Sequence, residues 1–173
     1  MTIKPMMGPF EHGRVRLVPL EREHLAMTLA WRNQPRVRNS LVTSRYISRN
    51  EHMSWFEDYL LRPNDYTFVV EETDVFKRPV GQVAIYDVDV GRSIAEFGRL
   101  MIGDPCALGL GVGRAAAEAG VAFSDQVLRL NILRLRVFDT NLPAVRIYEK
   151  LEFKRMGRLD QKGLILMERD KFP

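Results

Sequence analysis

The sequence predicts an α+β domain, a central mixed sheet of about seven strands flanked by about four helices. Three observations predict it. Short runs of alternating apolar and polar residues recur between turn residues. Helical stripes separate only some of these runs, so hairpins stand on either side of one central β-α-β unit. No repeat, low-complexity tract or linker interrupts the 173 residues, which read as one domain, 1–173, large enough to bury its own core.

In chain order, GRVRLVPLE alternates and reads as the first strand. EREHLAMTLAWRN carries Leu25, Ala26 and Leu29 on a helical stripe and stops before Pro35. ISRNEHMSWFEDYLLRP opens on the capping-box pair Ser48 and Glu51 and closes at Pro63, with His52, Trp55, Phe56 and Tyr59 on one face. YTFVVEE and RPVGQVAIYDVD are strands joined by a polar turn. SIAEFGRLMIG is a further strand, and Gly98 inside it marks a bulge or a close backbone approach. GVGRAAAEAGVAFSDQVL is a helix with a small inner face of Val112, Ala115, Ala116, Ala119 and Phe123, suited to lying close against the sheet. NILRLRVFDT is a strand, and NLPAVRIYEKL a helix with Asn141 as N-cap and Pro143 in its first turn. FKRMGRLDQKGLILMERD closes the chain as a pair of strands around Lys162 and Gly163.

Composition narrows the function classes. Hydrophobic content of 46% with 28% charged residues is ordinary for a globular protein, and no apolar run approaches the roughly 20 residues of a membrane span. The opening MTIKPMMGPFEHGR lacks the apolar core of a signal peptide, so a cytoplasmic location is expected. The net charge is +4 and arginine outnumbers lysine, which suits bidentate binding of phosphates or carboxylates. Arg32, Arg36, Arg38, Arg45 and Arg49 are spread through one segment, as on a pocket rim, and form no block of the kind that binds nucleic acid or a membrane. His12, His24 and His52 stand at no metal-ligand spacing, so no metal is expected. The single cysteine, Cys106, excludes an internal disulfide and is expected to be a small buried filler.

The stretch CALGLGVGRAAAEAG, residues 106–120, places three glycines at alternate positions directly before an alanine-rich helix. Glycine gives up packing, and what it offers is exposed backbone. Successive N–H groups leading into a helix N-terminus form a positive cradle for a phosphate. A P-loop needs Gly-Lys-Ser/Thr, and Gly113-Arg114-Ala115 supplies no hydroxyl for Mg²⁺. A dinucleotide loop is matched by Gly111, Gly113 and Ala116, with Asp139 ending the next strand. Yet GDPCAL intervenes before the first glycine, and only 34 residues follow Asp139, too few for a second mononucleotide half.

A third loop fits better. LGLGVG resembles the Gln/Arg-x-x-Gly-x-Gly/Ala signature of the GNAT acetyltransferases at Gly111 and Gly113, with Leu108 in the Gln/Arg place. NLPAVRIYEKLEF resembles the family's second motif at Asn141, Ala144, Tyr148 and Phe153, with Glu152 where a glycine is usual. The strand order is similar too, so the likeness covers nearly the whole chain. Leu108 removes a side-chain contact near the cofactor, and Glu152 costs little unless its φ must be positive.

The resemblance implies that two parallel strands, here EFGRLMI and LRLRVFD, splay apart around acetyl-CoA. Backbone N–H groups of Gly109, Leu110, Gly111, Val112, Gly113 and Arg114 are expected to hold the diphosphate beside Leu108. Leu100, Met101 and Ile102 are expected to pair with the pantetheine arm, and the Leu100 N–H is the candidate to polarise the acetyl carbonyl. Tyr148 matches the tyrosine that protonates the departing thiolate, although its stripe with Ala144, Ile147 and Leu151 suits a core residue as well. Asn141 is open to two roles, bonding the arm and capping its helix. Glu96 is the candidate base, directly or through water, against a plain strand carboxylate; His52 and Asp87 come after it.

For the acceptor, Trp31-Arg32-Asn33, Arg38, Ile47, Glu51-His52 and Trp55-Phe56 resemble the front end of amino-sugar nucleotide acetyltransferases of the pseudaminic acid type. Arg32, Asn33, Arg38, His52 and Trp55 are then expected to bind a small amine carried on a nucleotide-linked sugar, the arginines on phosphate and the aromatics against a ring. Two alternatives stay open: a protein N-terminus, as in the ribosomal-protein acetyltransferases, and a non-catalytic acetyl-CoA sensor.

Overall fold

The computed structural model describes residues 7–172; the first six residues, part of the segment behind the expected location, and Pro173 lie outside the described residues. Eight strands form one sheet in the order β1-β2-β3-β4-β5-β6-β8-β7. They are β1 Phe10–His12, β2 Val15–Pro19, β3 Tyr66–Glu72, β4 Arg78–Asp89, β5 Ile94–Ile102, β6 Ile132–Phe138, β7 Lys154–Arg158 and β8 Leu164–Asp170. The helices are α1 Leu25–Asn33, α2 Pro35–Arg38, α3 Arg49–Leu60, α4 Val112–Gln126 and α5 Leu142–Lys150. Among the described residues no helix is long and apolar enough to cross a membrane.

Two elements exceed the expectation. β1 forms a hairpin with β2 through Gly13, at φ +57, and three residues are too few to display an alternation. α1 stops where Pro35 demands, but Gln34 leaves the helical region and Pro35 then sits at the first position of α2, where its missing N–H costs nothing. Cys106 is exposed, not buried: it lies in a 3₁₀ turn, Pro105–Ala107, capped by Asp104, whose Oδ1 accepts from the Cys106 N–H at 2.9 Å.

Every strand pairing is antiparallel except β5 with β6. That parallel ladder has three pairs, Ile94↔Ile132, Ala95↔Leu133 and Glu96↔Arg134, and ends there. Among the described residues, β5 beyond Glu96 keeps only β4 as a partner, and β6 beyond Arg134 keeps only β8. The sheet therefore opens along the rest of both strands.

α4 joins β5 to β6 and packs on the sheet over β2, β4 and β5. Its alanines make that approach close, and Gly120 makes it closer: a Cβ there would lie 2.8 Å from Phe97 Cε2. Phe68, Phe97, Phe123 and Leu133 are fully buried in the core beneath it. A smaller apolar cluster of Leu20, Leu25, Phe56, Tyr59 and Val69 holds α1 and α3 to the opposite face. The Ser48–Glu51 capping box forms as expected: the Glu51 N–H donates to Ser48 Oγ at 3.3 Å, and the Ser48 N–H to Glu51 Oε2 at 2.8 Å.

Candidate active site

A cleft of about 1100 Å³ occupies the opening between β5 and β6 and extends to α1 and α3. Its wall includes Leu100, Met101 and Ile102 of β5, then Leu108, Gly109, Gly111, Val112, Gly113 and Arg114 of the following turn. Gly109 and Gly111 have φ of +73 and +75, a left-handed conformation that glycine adopts without strain. Nothing lies within 4 Å of where a Gly109 Cβ would be, so the turn presents bare backbone. Gly111 caps α4, its carbonyl accepting from the Ala115 N–H at 3.1 Å. Val112, Gly113 and Arg114 form the first turn, whose N–H groups have no intrahelical acceptor. The 15-residue helix behind them adds its dipole. Leu110 is not in the wall. It is exposed, and its carbonyl accepts from Arg14 Nη2 on the far side of the turn.

Tyr148 lines the cleft from α5 and is 7% exposed. Its ring packs edge-on against Phe97 and Phe153, each centroid 5.9 Å away. Burial pushes its pKa well above the ordinary phenol value, so the hydroxyl keeps its proton. The end of α5 fixes it further. The Phe153 N–H donates to the Tyr148 carbonyl at 3.0 Å and the Glu152 N–H to the Glu149 carbonyl at 3.1 Å, a Schellman motif with the Tyr148–Phe153 contact as its apolar clasp. That motif needs a left-handed residue, and Glu152 supplies it at φ +68. The departure from glycine thus carries strain. Asn141 both lines the cleft and caps α5, its Oδ1 accepting from the Ala144 N–H at 3.4 Å.

Glu96 is not in the wall, although its neighbours Phe97 and Gly98 are. It sits where the parallel ladder ends, 3.6 Å from Arg136 Nη2, with Oε2 buried and without a hydrogen-bond partner among the described residues. Sequence inspection misses Tyr86, which lines the cleft from β4. Gly98 leaves room for it: a Cβ there would lie 3.2 Å from the Tyr86 hydroxyl oxygen. Nothing local in the sequence signals this, because the contact depends on cross-strand register.

At the acceptor end, Arg32, His52 and Trp55 line the cleft, while Asn33 and Arg38 do not. The Asn33 amide ties α1 to the chain before α3, with Nδ2 donating to the Ile47 carbonyl at 2.8 Å and Oδ1 accepting from the Ile47 N–H at 2.9 Å. Arg38 is close enough for its charge to act on Arg32, and its Nε is buried with no hydrogen-bond partner among the described residues. Arg32 donates to the Thr43 carbonyl, while its Nη1 is buried with no partner among the described residues. Burial, and then Arg45 and Arg38, lower its pKa. Trp55 stacks on His52 at 5.3 Å, and the ring nitrogen Nε2 of His52 is 3.3 Å from Thr28 Oγ1. Burial and nearby Arg32 lower the His52 pKa, favouring the neutral ring. The wall also takes in Arg36, Arg45, Arg99 and Arg136. Arg36 donates to the Ile102 and Gly103 carbonyls at 2.8 Å each, tying the acceptor side to the end of β5.

Comparison with known proteins bears on this arrangement. Residues 14–154 match the family described as acetyltransferase (GNAT) domain. A mycothiol acetyltransferase of Acidothermus cellulolyticus is 34% identical over 116 residues, 64% of this chain and 35% of that protein. The alpha/beta-tubulin-N-acetyltransferase 9 of Mus musculus is 24% identical over 156 residues, 83% of this chain and 63% of that protein. This chain therefore spans less than two thirds of the length of both relatives. Among solved structures, the spermidine N-acetyltransferase of Vibrio cholerae, in complex with CoA and spermine, superposes with a TM-score of 0.82 at 23% identity, covering 92% of this chain and 97% of that one. The matched span takes in the sheet from β2 to β6, the glycine turn and all of α5, and the chain belongs to the GNAT acetyltransferase family, whose cofactor is acetyl-CoA.

Proposed function

We propose that this chain moves the acetyl group of acetyl-CoA to the primary amine of an anionic small molecule, an amino sugar carried on a nucleotide, with Tyr148 as general acid. One observation carries the reading: the free edge of β5, the bare glycine turn and Tyr148 all face a single cleft. These features fit the cofactor. The turn from Gly109 to Arg114 offers main-chain donors to its diphosphate, and Leu100, Met101 and Ile102 offer strand-like pairing to its arm. When bound, acetyl-CoA supplies an activated thioester carbonyl.

The chain's own groups do the rest. The Leu100 N–H donates to the acetyl oxygen, where negative charge develops. Tyr148, kept protonated by burial, gives its proton to the departing sulfur. Glu96 lies outside the wall, so it takes the amine proton through water.

The acceptor reading rests on charge. The cleft wall holds six arginines, Arg32, Arg36, Arg45, Arg99, Arg114 and Arg136, and one carboxylate, Glu51, which Arg45 already binds at 2.6 Å. Among the described residues, Arg32 and Arg36 have no ion-pair partner. A polycation such as spermine meets repulsion there, whereas a phosphate or carboxylate finds donors. His52 and Trp55, stacked on each other, add aromatic lining to the same cleft. Likeness to the tubulin acetyltransferase supports a second acceptor, a protein N-terminus.

The test is thiol release from acetyl-CoA against panels of nucleotide-linked amino sugars, polyamines and peptides. The expected result is turnover with the nucleotide-linked sugars. Turnover with peptides or polyamines alone ends that acceptor reading, and tight CoA binding with no turnover on any panel points to a sensor.

A further inference from the structure

The bulge in β5 does not fall where glycine would ease it. Gln82 pairs with Met101 and Ala84 with Gly98, so Val83 alone faces two residues, Arg99 and Leu100. The left-handed residue of that bulge is Arg99, at φ +50, not Gly98 beside it. Glycine takes this conformation freely and arginine does not. A residue kept there against backbone preference is held by its side chain, and the side chain is clamped.

Arg99 Nη1 donates to Asp65 Oδ1 and to Thr67 Oγ1, both at 2.8 Å. Asp65 is 2% exposed, and the Thr67 hydroxyl donates to the same carboxylate oxygen at 3.0 Å. The guanidinium carbon lies 4.4 Å from the centre of the Tyr86 ring and 5.5 Å from that of Trp55. Arg99 is thus fixed by the start of β3, by β4 and by α3 together. Trp55 in turn stacks on His52, so one guanidinium bridges the cofactor bulge and the acceptor wall.

We propose that Arg99 is a positioning residue for acetyl transfer: its clamp to Asp65, Thr67, Tyr86 and Trp55 holds the left-handed turn that aims the next amide, Leu100 N–H, at the acetyl carbonyl. The inference rests on the reading of Leu100 as the polarising donor. It adds the group that sets the direction of that donor, and it explains why a buried carboxylate stands in the loop before β3.

The experiment reads the carbonyl directly and needs no acceptor. Acetyl-CoA labelled with ¹³C at the acetyl carbonyl is bound to the protein, and its stretching band is followed by isotope-edited infrared spectroscopy. In the parent protein the band moves to lower wavenumber on binding, as a donated hydrogen bond requires. Arg99→Gly, which accepts the positive φ without the clamp, and Arg99→Lys, which keeps the charge without the planar fork, are both expected to lose most of that movement. CoA affinity by calorimetry stays within about threefold, because the diphosphate cradle is untouched. Should the stranded Asp65 unfold Arg99→Gly, the pair Asp65→Asn with Arg99→Gly removes the lone charge and gives the same reading.

A full band movement in the variants overturns the role of Arg99 while leaving Leu100 in place. No movement in the parent protein overturns both. A loss of CoA affinity beyond about tenfold in Arg99→Lys also overturns it, since the residue then supports the whole gap and not one amide.

Discussion

At the end of the cleft proposed for the cofactor the wall is main chain: Gly109 and Gly111 turn left-handed, α4 begins, and β5 beyond Glu96 has no parallel partner among the described residues. At the acceptor end the same cleft is walled by long side chains, with Arg32, Arg36 and the His52–Trp55 stack set on short helices and a connecting segment. On the proposed reading, recognition at the first end would depend on conformation more than on side-chain identity. Recognition at the second would depend on which side chain stands at each position. Substitutions at the two ends should therefore fail in different kinetic constants.

Tyr148→Phe tests the meeting point and has the largest expected effect. The ring keeps its contacts with Phe97 and Phe153, so melting changes little, while kcat falls by roughly 10²–10⁴ as the acid is lost. Unchanged turnover would return Tyr148 to the core. Arg32→Ala comes next. It removes a buried, unpaired donor, and KM for an anionic acceptor is expected to rise by about tenfold or more, with KM for acetyl-CoA unmoved. Equal change in both constants would erase the division between the ends.

Gly111→Ala reverses that pattern. A side chain at φ +75 costs about 1–2 kcal/mol, so KM for acetyl-CoA rises several-fold and KM for the acceptor stays. The smallest effect is a gain. Glu152→Gly relieves a left-handed glutamate at the end of α5 and is expected to raise Tm by about 2–4 °C with activity retained. A fall in Tm would mean that the glutamate side chain contributes more than its backbone strain costs.

The same contrast explains what the sequence revealed. Local rules exposed the glycine turn, the Ser48–Glu51 box and the Asn141 cap, because each is written within a few adjacent residues. They also gave the single parallel β-α-β unit, which spacing alone identifies. Long-range packing was hidden. Asn33 looks like a ligand-binding amide but is used to tie two segments together, and Arg38 lies outside the cleft wall. Glu96 and Leu110 sit one residue away from positions that do line the cleft, a displacement set by strand register and turn geometry. Gly98 pointed to a bulge in β5 but lies one residue before it, and Arg99 carries the unusual φ. No local rule signals an arginine in that conformation, because its support comes from Asp65 and Thr67, more than 30 positions earlier in the chain.

The parallel seam of three residue pairs has a mechanical consequence. Two leaves of sheet hang from it like the arms of a pair of tongs, one arm paired on its outer side with β4 and the other with β8. A molecule laid along the inside would add rungs to both arms at once, and on the proposed reading the donor of the reaction would also brace the scaffold. Occupancy should then slow amide exchange on both leaves together and raise the melting temperature with cofactor concentration. A ligand gripped at the hinge alone would stiffen neither arm.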